Sequence, residues 1–335
     1  MFKQFKCSLA LALSVLLCAC AVPASTTAVV GETDKPVVEA DKPVIKADKP
    51  VVYASFYPIY DFVKKAAGDL AEVRCFIPDG TEPHDWEPSP RDISGLIGAD
   101  LFLYSGMGFE HWIPSVLSGL GHDAPTAVET SLAIQAMNNS PGDSHHECGH
   151  DDHDDHDHGH DDHHHDSHVW LSPRLAKLQF KAICEALQEM DPQNAGAYDE
   201  AFKKYSAEFD KLDEEFKSLR LLPKKMIVVT HEAFGYLCSE YGLEQVSIAG
   251  YSPEDEPDPA RMAQVTRLAR ENGVTVIFYE ELASTKIAQT VASEIGARTL
   301  PLSPLEGLSD EERANGDDYF SVMRKNLAAL KEALS

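Results

Sequence analysis

Seven large apolar residues, Tyr198, Phe202, Tyr205, Phe209, Leu212, Phe216 and Leu219, follow one another at intervals of four, three, four, three, four and three. That spacing keeps them on one face of an α-helix for about six turns. Asp191-Pro192 separates this helix from what precedes it, and Pro223 closes it. A helix this long near the middle of a chain divides it. Such a helix suits a rigid connector between the segments before and after it.

Both flanking segments show the same alternation. Before the stripe, strand-like VVYASFYP, AEVRCFIP and LFLYSG alternate with helix-like IYDFVKKAAG, ISGLIGAD and FEHWIPSVLSGL, and Leu171–Met190 reads as a further helix. After it, MIVVT, EQVSIAG, VTVIFYE and RTLPLS alternate with HEAFGYLCSEYG, PARMAQVTRLARENG and STKIAQTVASEIGA. A last helix carries Phe320, Met323, Leu327, Leu330 and Leu334 on one face. Strands that alternate with helices pair in parallel. The expected fold class is therefore α/β: two lobes, 50–192 and 223–335, each a mainly parallel sheet flanked by helices. One long rigid connecting helix within 193–222 joins them.

The first 49 residues are read as address and tether. Lys3 and Lys6 precede an apolar run, Ser8–Leu17, too short to cross a bilayer. Leu17-Cys18-Ala19-Cys20 resembles a bacterial lipobox, which makes 1–19 a signal peptide and Cys20 the lipidated first residue. Residues 20–49 repeat TDKPVVE, ADKPVIK and ADKPVVY, a proline every seventh residue, and are read as an extended spacer. Asp plus Glu outnumber Lys plus Arg by 55 to 29, a net charge of −26. Such a surface repels phosphate backbones and excludes nucleic acid as a partner, while it favours cations. Cys75, Cys148, Cys184 and Cys238 lie beyond the signal and its lipobox. Cys75 and Cys184 fall in apolar-periodic runs and read as small buried hydrophobes, with a disulfide left open.

Eleven of the fifteen histidines lie between His145 and Pro173. The stretch 143–167 is too polar to bury and is expected to be a disordered insertion. His145, His146, His150, His153, His156, His158, His160, His163, His164 and His165 then form a mobile, multi-site, accessory metal-binding loop. Within it His158-Gly159-His160-Asp161-Asp162-His163 matches a hydrolase metal motif, as any His/Asp tract will by chance. Histidines outside the tract are more informative. His84 and His231 each follow a strand, one in each lobe, where ligands of open α/β sheets bind. His168 marks the return to apolar chain. His111 and His122 read as surface or core residues. A matching carboxylate would come from Glu280-Glu281, after VTVIFYE, or from Glu306, after RTLPLS.

The segments EPHDWEPSP, SHVWLSP, VVTHEAFGYL, PLEGL and DDYFSVMRKNLAALKEAL, in this order, resemble the zinc-specific group of substrate-binding lipoproteins of metal-ion ABC importers. The resemblance covers the chain from about Pro50 to its end. It implies two α/β lobes joined by a long helix, with Zn²⁺ carried in the cleft between them. It implies His84, His168 and His231 as three ligands. A glutamate at the third position marks manganese-binding relatives, so His231 favours zinc. Many relatives place an aspartate where this chain has Ser303, and Glu306 matches a subgroup that uses glutamate instead. Water or Glu281 stays open as the fourth ligand. The implied role is an extracytoplasmic, lipid-anchored, monomeric receptor that delivers zinc to an ABC permease and its ATPase in the cytoplasmic membrane. The resemblance implies carriage rather than catalysis, since a site closed by four protein ligands, with Glu306 as the fourth, would leave no open position for water. The competing readings are a zinc buffer or adhesion lipoprotein, a manganese-specific relative, and a zinc hydrolase with Glu82 or Glu232 as base.

Overall fold

The computed structural model of the chain describes residues 49–138, 166–250 and 257–335. The expected signal peptide, Cys20, nearly all of the tether and the tract histidines from His145 to His165 lie outside the described residues.

Strands β1 (Val51–Ala54), β2 (Glu72–Cys75), β3 (Leu101–Tyr104) and β4 (Thr126–Glu129) alternate with helices α1 (Tyr57–Ala67), α2 (Pro90–Leu96), α3 (Ile113–Leu120) and α4 (Leu132–Asn138). Helices α5 (Pro173–Met190) and α6 (Ala195–Lys217) follow. The second half runs β5 (Met226–Val229), α7 (Gly235–Tyr241), β6 (Glu244–Ser247), α8 (Pro259–Glu271), β7 (Val276–Tyr279), α9 (Lys286–Ile295) and β8 (Arg298–Pro301). It ends with α10 (Asp310–Asn315) and α11 (Tyr319–Leu334). The strands form two four-stranded sheets, ordered β2-β1-β3-β4 and β6-β5-β7-β8. Every pairing is parallel, as the alternation of elements requires. In each sheet the chain steps to one side of its first strand and then to the other. Such a reversal opens a crevice at the carboxyl ends of the two central strands.

Three elements escape the sequence pattern: β4, α4 and α10. Strand β4 is an edge strand with no residue fully buried, so it lacks the apolar run of its neighbours. Two helices start later than their periodicity predicts. Helix α3 begins at Ile113, with Pro114 in its first turn. Helix α7 begins at Gly235 rather than His231, because the intervening backbone bonds elsewhere. Glu232 N donates to Gly250 O (2.9 Å) and Phe234 N to Gln245 Oε1 (2.6 Å).

Helix α6 carries the stripe from Tyr198 to Phe216, with Tyr198, Phe209, Leu212 and Phe216 buried, and ends at Lys217, so that Leu219 falls in a 3-10 turn, also buried. Phe209 meets Phe62 of α1 (ring centroids 5.5 Å apart) and Tyr319 of α11 (5.6 Å), and these two rings also meet each other (4.8 Å). One apolar cluster therefore runs from β1 and β3 through α5 and α6 to β5, β7 and α11. A smaller cluster lies between the second sheet, α8 and α9, around Val228, Ile248, Val265, Ile277 and Val291.

Candidate metal centre

Each histidine at the crevice is delivered by a strand end or a packed turn. Pairing continues past β2, with Phe76 N and Ile77 N donating to Ala54 O (2.8 Å) and Ser55 O (2.9 Å). The loop then folds back over the Glu82 carboxylate, which accepts from His84 N (3.0 Å) and Asp85 N (3.2 Å). Trp86 anchors the loop against Phe76 (5.6 Å) and Trp112 (5.4 Å). The Phe109 ring lies edge-on to His84 at 4.9 Å. Its own loop is fixed by the buried Glu110 carboxylate, which accepts from Ser55 Oγ, Ser105 N and Gly106 N.

His168 enters a single buried 3-10 turn, Val169–Leu171. Trp170 ties that turn to the second half of the chain. Its indole Nε1 donates to Pro304 O, and its carbonyl accepts from Tyr319 Oη, both at 2.7 Å. His231 continues directly from β5. Its Nδ1 sits 2.6 Å from Glu280 Oε1 at the end of β7, and the same carboxylate accepts from the Thr230 hydroxyl. Glu306 is aimed by the loop after β8. Asn326 of α11 clamps that loop, accepting from Ser303 N (2.9 Å) and donating to Ser303 O (2.7 Å). Leu305 then takes the left-handed backbone conformation (φ 60°), a strain of order 1–3 kcal/mol, and it is fully buried there. Ser303 Oγ accepts from Leu305 N (3.1 Å) and so supports the turn.

The structure brings His84, His168, His231 and Glu306 together, their donor atoms all within 4.8 Å of one another. Glu306 Oε1 lies 3.1 Å from His84 Nε2, 3.0 Å from His168 Nε2 and 3.4 Å from His231 Nε2. His168 Nε2 is 3.3 Å from His84 Nε2 and 3.5 Å from His231 Nε2. Four ligands held about 2.0–2.1 Å from a zinc ion at tetrahedral angles are spaced roughly 3.4 Å apart. Five of the six donor pairs already have that spacing, and the sixth, His84 with His231, lies within 4.8 Å. Exposure is graded across it: side-chain accessibility is 0% for His231, 1% for His168 and 14% for His84. The cluster therefore meets solvent on the His84 side.

The charges follow from these contacts. Burial works against ionising Glu306, but the His84 charge and the bonds from His168 and His231 outweigh it and hold the carboxyl well below its usual range. Burial also opposes a proton on His231, yet Glu280 and Glu306 push its pKa up to about 10. His168 is raised too, with burial overcome by Asp166 and Glu306. At neutral pH the metal-free cluster thus holds protons that a metal must displace. Zinc binding at pH 7 is expected to release about one to two protons, and affinity is expected to fall as pH drops. Calorimetric titration in two buffers of different ionisation enthalpy measures this; equal apparent enthalpies would refute it.

Several sequence readings change at this point. Glu281 is exposed and outside the cluster, whereas Glu306 is inside it. Glu280, a candidate for direct contact, instead holds the far nitrogen of His231. The disordered insertion expected over 143–167 stops short of Asp166 and Ser167, which pack at the site, Ser167 buried. Asp166 Oδ1 lies 2.9 Å from both the backbone N and Nδ1 of His168. Nothing in the sequence separates this aspartate from the others in the tract. His111 and His122 are exposed and apart from the cluster. Cys75, Cys184 and Cys238 are free thiols; Cys184 is buried, as its apolar run suggests, but Cys75 is only half-buried.

Two parallel α/β sheets whose strand ends converge on three imidazoles and a carboxylate define a metal-binding protein of the two-lobed substrate-receptor class. Residues 52–333 match the family described as zinc-uptake complex component A, periplasmic. The chain belongs to that family. It is 43% identical over 281 residues to the high-affinity zinc uptake system protein ZnuA of Bacillus subtilis, covering 84% of this chain and 86% of that protein. It is 38% identical over 279 residues to the zinc-binding lipoprotein AdcA of Streptococcus pneumoniae, covering 83% of this chain and 54% of that one. The chain thus spans about half the length of AdcA. The crystal structure of the Zn(II)-bound ZnuA-like domain of AdcA superposes with a TM-score of 0.70 at 33% identity, over 85% of this chain and 99% of that domain.

Proposed function

We propose that this chain is an extracytoplasmic receptor that captures Zn²⁺ and presents it to an ABC-type importer in the cytoplasmic membrane, anchored there through a lipid on Cys20. His84, His168, His231 and Glu306 are its four metal ligands. The observation that carries this reading is the convergence of Glu306 Oε1 and the three histidine donors within 4.8 Å of one another, five of the six pairs at 3.0–3.5 Å. Three neutral imidazoles and one carboxylate suit zinc, whereas manganese favours more oxygen. The role is carriage rather than catalysis, because four protein donors close the coordination sphere. The lobes are 50–192 and 223–335, with the connecting helix in 193–222. The tract histidines are accessory, each losing chain entropy on binding that the crevice does not lose.

The test is a competition titration of the full chain with Zn²⁺, beside a variant lacking residues 144–165. Asp166 is kept because it bonds His168. One tight site is expected in both proteins, with only weaker sites lost on deletion. Loss of the tight site with the tract would make the chain a zinc buffer and overturn the reading. Cells that depend on this chain for zinc uptake should keep uptake with the deletion variant and lose it with His231→Ala.

A further inference from the structure

The three histidines are not held alike. His231 Nδ1 is gripped by Glu280 and His168 Nδ1 by Asp166, whereas among the described residues no carboxylate is bonded to the Nδ1 of His84. A carboxylate on Nδ1 keeps the proton there, leaves Nε2 as a lone-pair donor, and fixes the plane of the ring. Asp166 adds a second bond, from the backbone N of His168, so both the ring and the chain it hangs from are tied to one oxygen, Oδ1. Its other oxygen, Oδ2, is buried with no hydrogen-bond partner among the described residues. A buried carboxylate oxygen left without a donor costs stability and calls for a reason. Its neighbour supplies one. A Cβ built on Gly235, the first residue of α7, would lie 2.4 Å from that oxygen and 3.4 Å from Asp166 Cγ. Gly235 is not in a left-handed conformation, so its backbone does not require glycine. The space does: any side chain there meets the Asp166 carboxylate first, and the easiest relief is to turn that carboxylate away from His168.

We propose that Asp166 is a positioning residue of the metal site, fixing the His168 ring through Nδ1, and that Gly235 is its seat, the glycine that leaves room for the carboxylate to face His168. The inference rests on the reading of His168 as a ligand. It makes Gly235, which touches none of the four cluster residues' donor atoms, a determinant of zinc affinity. It also sets His84 apart as the ligand whose Nδ1 no carboxylate among the described residues holds, on the side of the cluster that meets solvent.

The experiment uses the full chain and Zn²⁺ in competition with a chelator, with four variants: Asp166→Ala, Asp166→Asn, Gly235→Ala, and the Asp166→Ala/Gly235→Ala pair. Loss of a second carboxylate of this kind weakens metal binding by about 10- to 100-fold, and that is expected for Asp166→Ala. Asp166→Asn retains a side-chain oxygen to accept from Nδ1–H and should recover most of the loss. Gly235→Ala should weaken zinc in the wild-type background and have no further effect once Asp166 is alanine. The spectroscopic signature is the histidine Nδ1–H signal in zinc-loaded, ¹⁵N-labelled protein. Two cluster histidines should show slowly exchanging Nδ1–H protons in the wild type, and Asp166→Ala should lose one while that of His231 persists. His231→Ala serves as reference. If His231→Ala binds like the wild type, the ligand reading fails. If it loses zinc while Asp166→Ala binds within about twofold of wild type and keeps both Nδ1–H signals, the positioning role alone is overturned. Additive effects of the two substitutions would overturn the role of Gly235.

Discussion

His231→Ala is expected to weaken zinc binding by about 100- to 1000-fold. Structural zinc sites gain about 10–16 kcal/mol from four ligands, so one ligand is worth about 3–4 kcal/mol, or two to three powers of ten. Among the described residues no other His, Cys, Asp or Glu joins the cluster to replace His231. Its side chain is fully buried at the end of β5, and Glu280, directly behind it, points at the imidazole rather than at the centre of the cluster. Alanine there leaves Glu280 bonded only to Thr230 among the partners described above, so the carboxylate does not move forward without breaking that bond. The measurement is a competition titration of wild type, His231→Ala and His111→Ala. His111 is exposed and outside the cluster, and its loss should leave affinity unchanged. An unchanged affinity in His231→Ala would remove the crevice as the zinc site.

The second large effect concerns stability. Trp170 is fully buried and packs on Phe56 (4.8 Å), Phe109 (5.0 Å) and the His168 ring (5.1 Å). Trp170→Ala should cost about 3–5 kcal/mol through lost burial and the cavity left behind. Pro304 O would also lose its indole donor. In a chain of this size the metal-free protein should melt roughly 10 °C lower. Trp170→Phe should fall between, because it keeps much of the apolar volume but not the N–H. Saturating zinc should restore part of the loss in both, since it binds the folded state alone. Thermal unfolding followed by circular dichroism checks this; a melting point within 2 °C of wild type for Trp170→Ala would show that the indole carries little of the fold.

The legible parts of this chain are those in which a period or a strand end carries the signal. The α6 stripe declares itself because six large apolar residues, Tyr198 to Phe216, keep helical register through the helix, with Leu219 in the 3-10 turn that follows. The parallel sheets follow from the alternation of elements, and His84 and His231 stand out because they follow strands, whereas Glu306 follows a strand no more distinctly than Glu280 and Glu281 and is singled out only by the resemblance of PLEGL. Strand β4 is not legible, because an edge strand half open to solvent has no apolar run, and neither is the six-residue α10. The late start of α7 depends on bonds to Gly250 and Gln245, partners far along the chain that no local pattern announces. Asp166 is hidden for a different reason. It ends a tract made of its own kind, and only the fold shows that this aspartate faces a histidine ring. The four-residue cluster could thus be outlined from the sequence and the resemblance, while the carboxylates behind its histidines could not be told apart from their neighbours.

The apolar cluster shared by Phe62, Phe209 and Tyr319 bears on how far the molecule can be taken apart. Its halves repeat one topology, which invites chimeras that join the first half of one relative to the second half of another. Here the seam of such a chimera would cut through the packed interior. Tyr319 Oη bonds the carbonyl of Trp170, and the Trp170 indole bonds the loop that delivers Glu306. A grafted half would have to match the host in ring placement as well as in metal ligands. Exchanging α11 and the β8 loop together with the first-half turn they bond keeps those partners matched, and metal preference should transfer with that interlocked set rather than with either half.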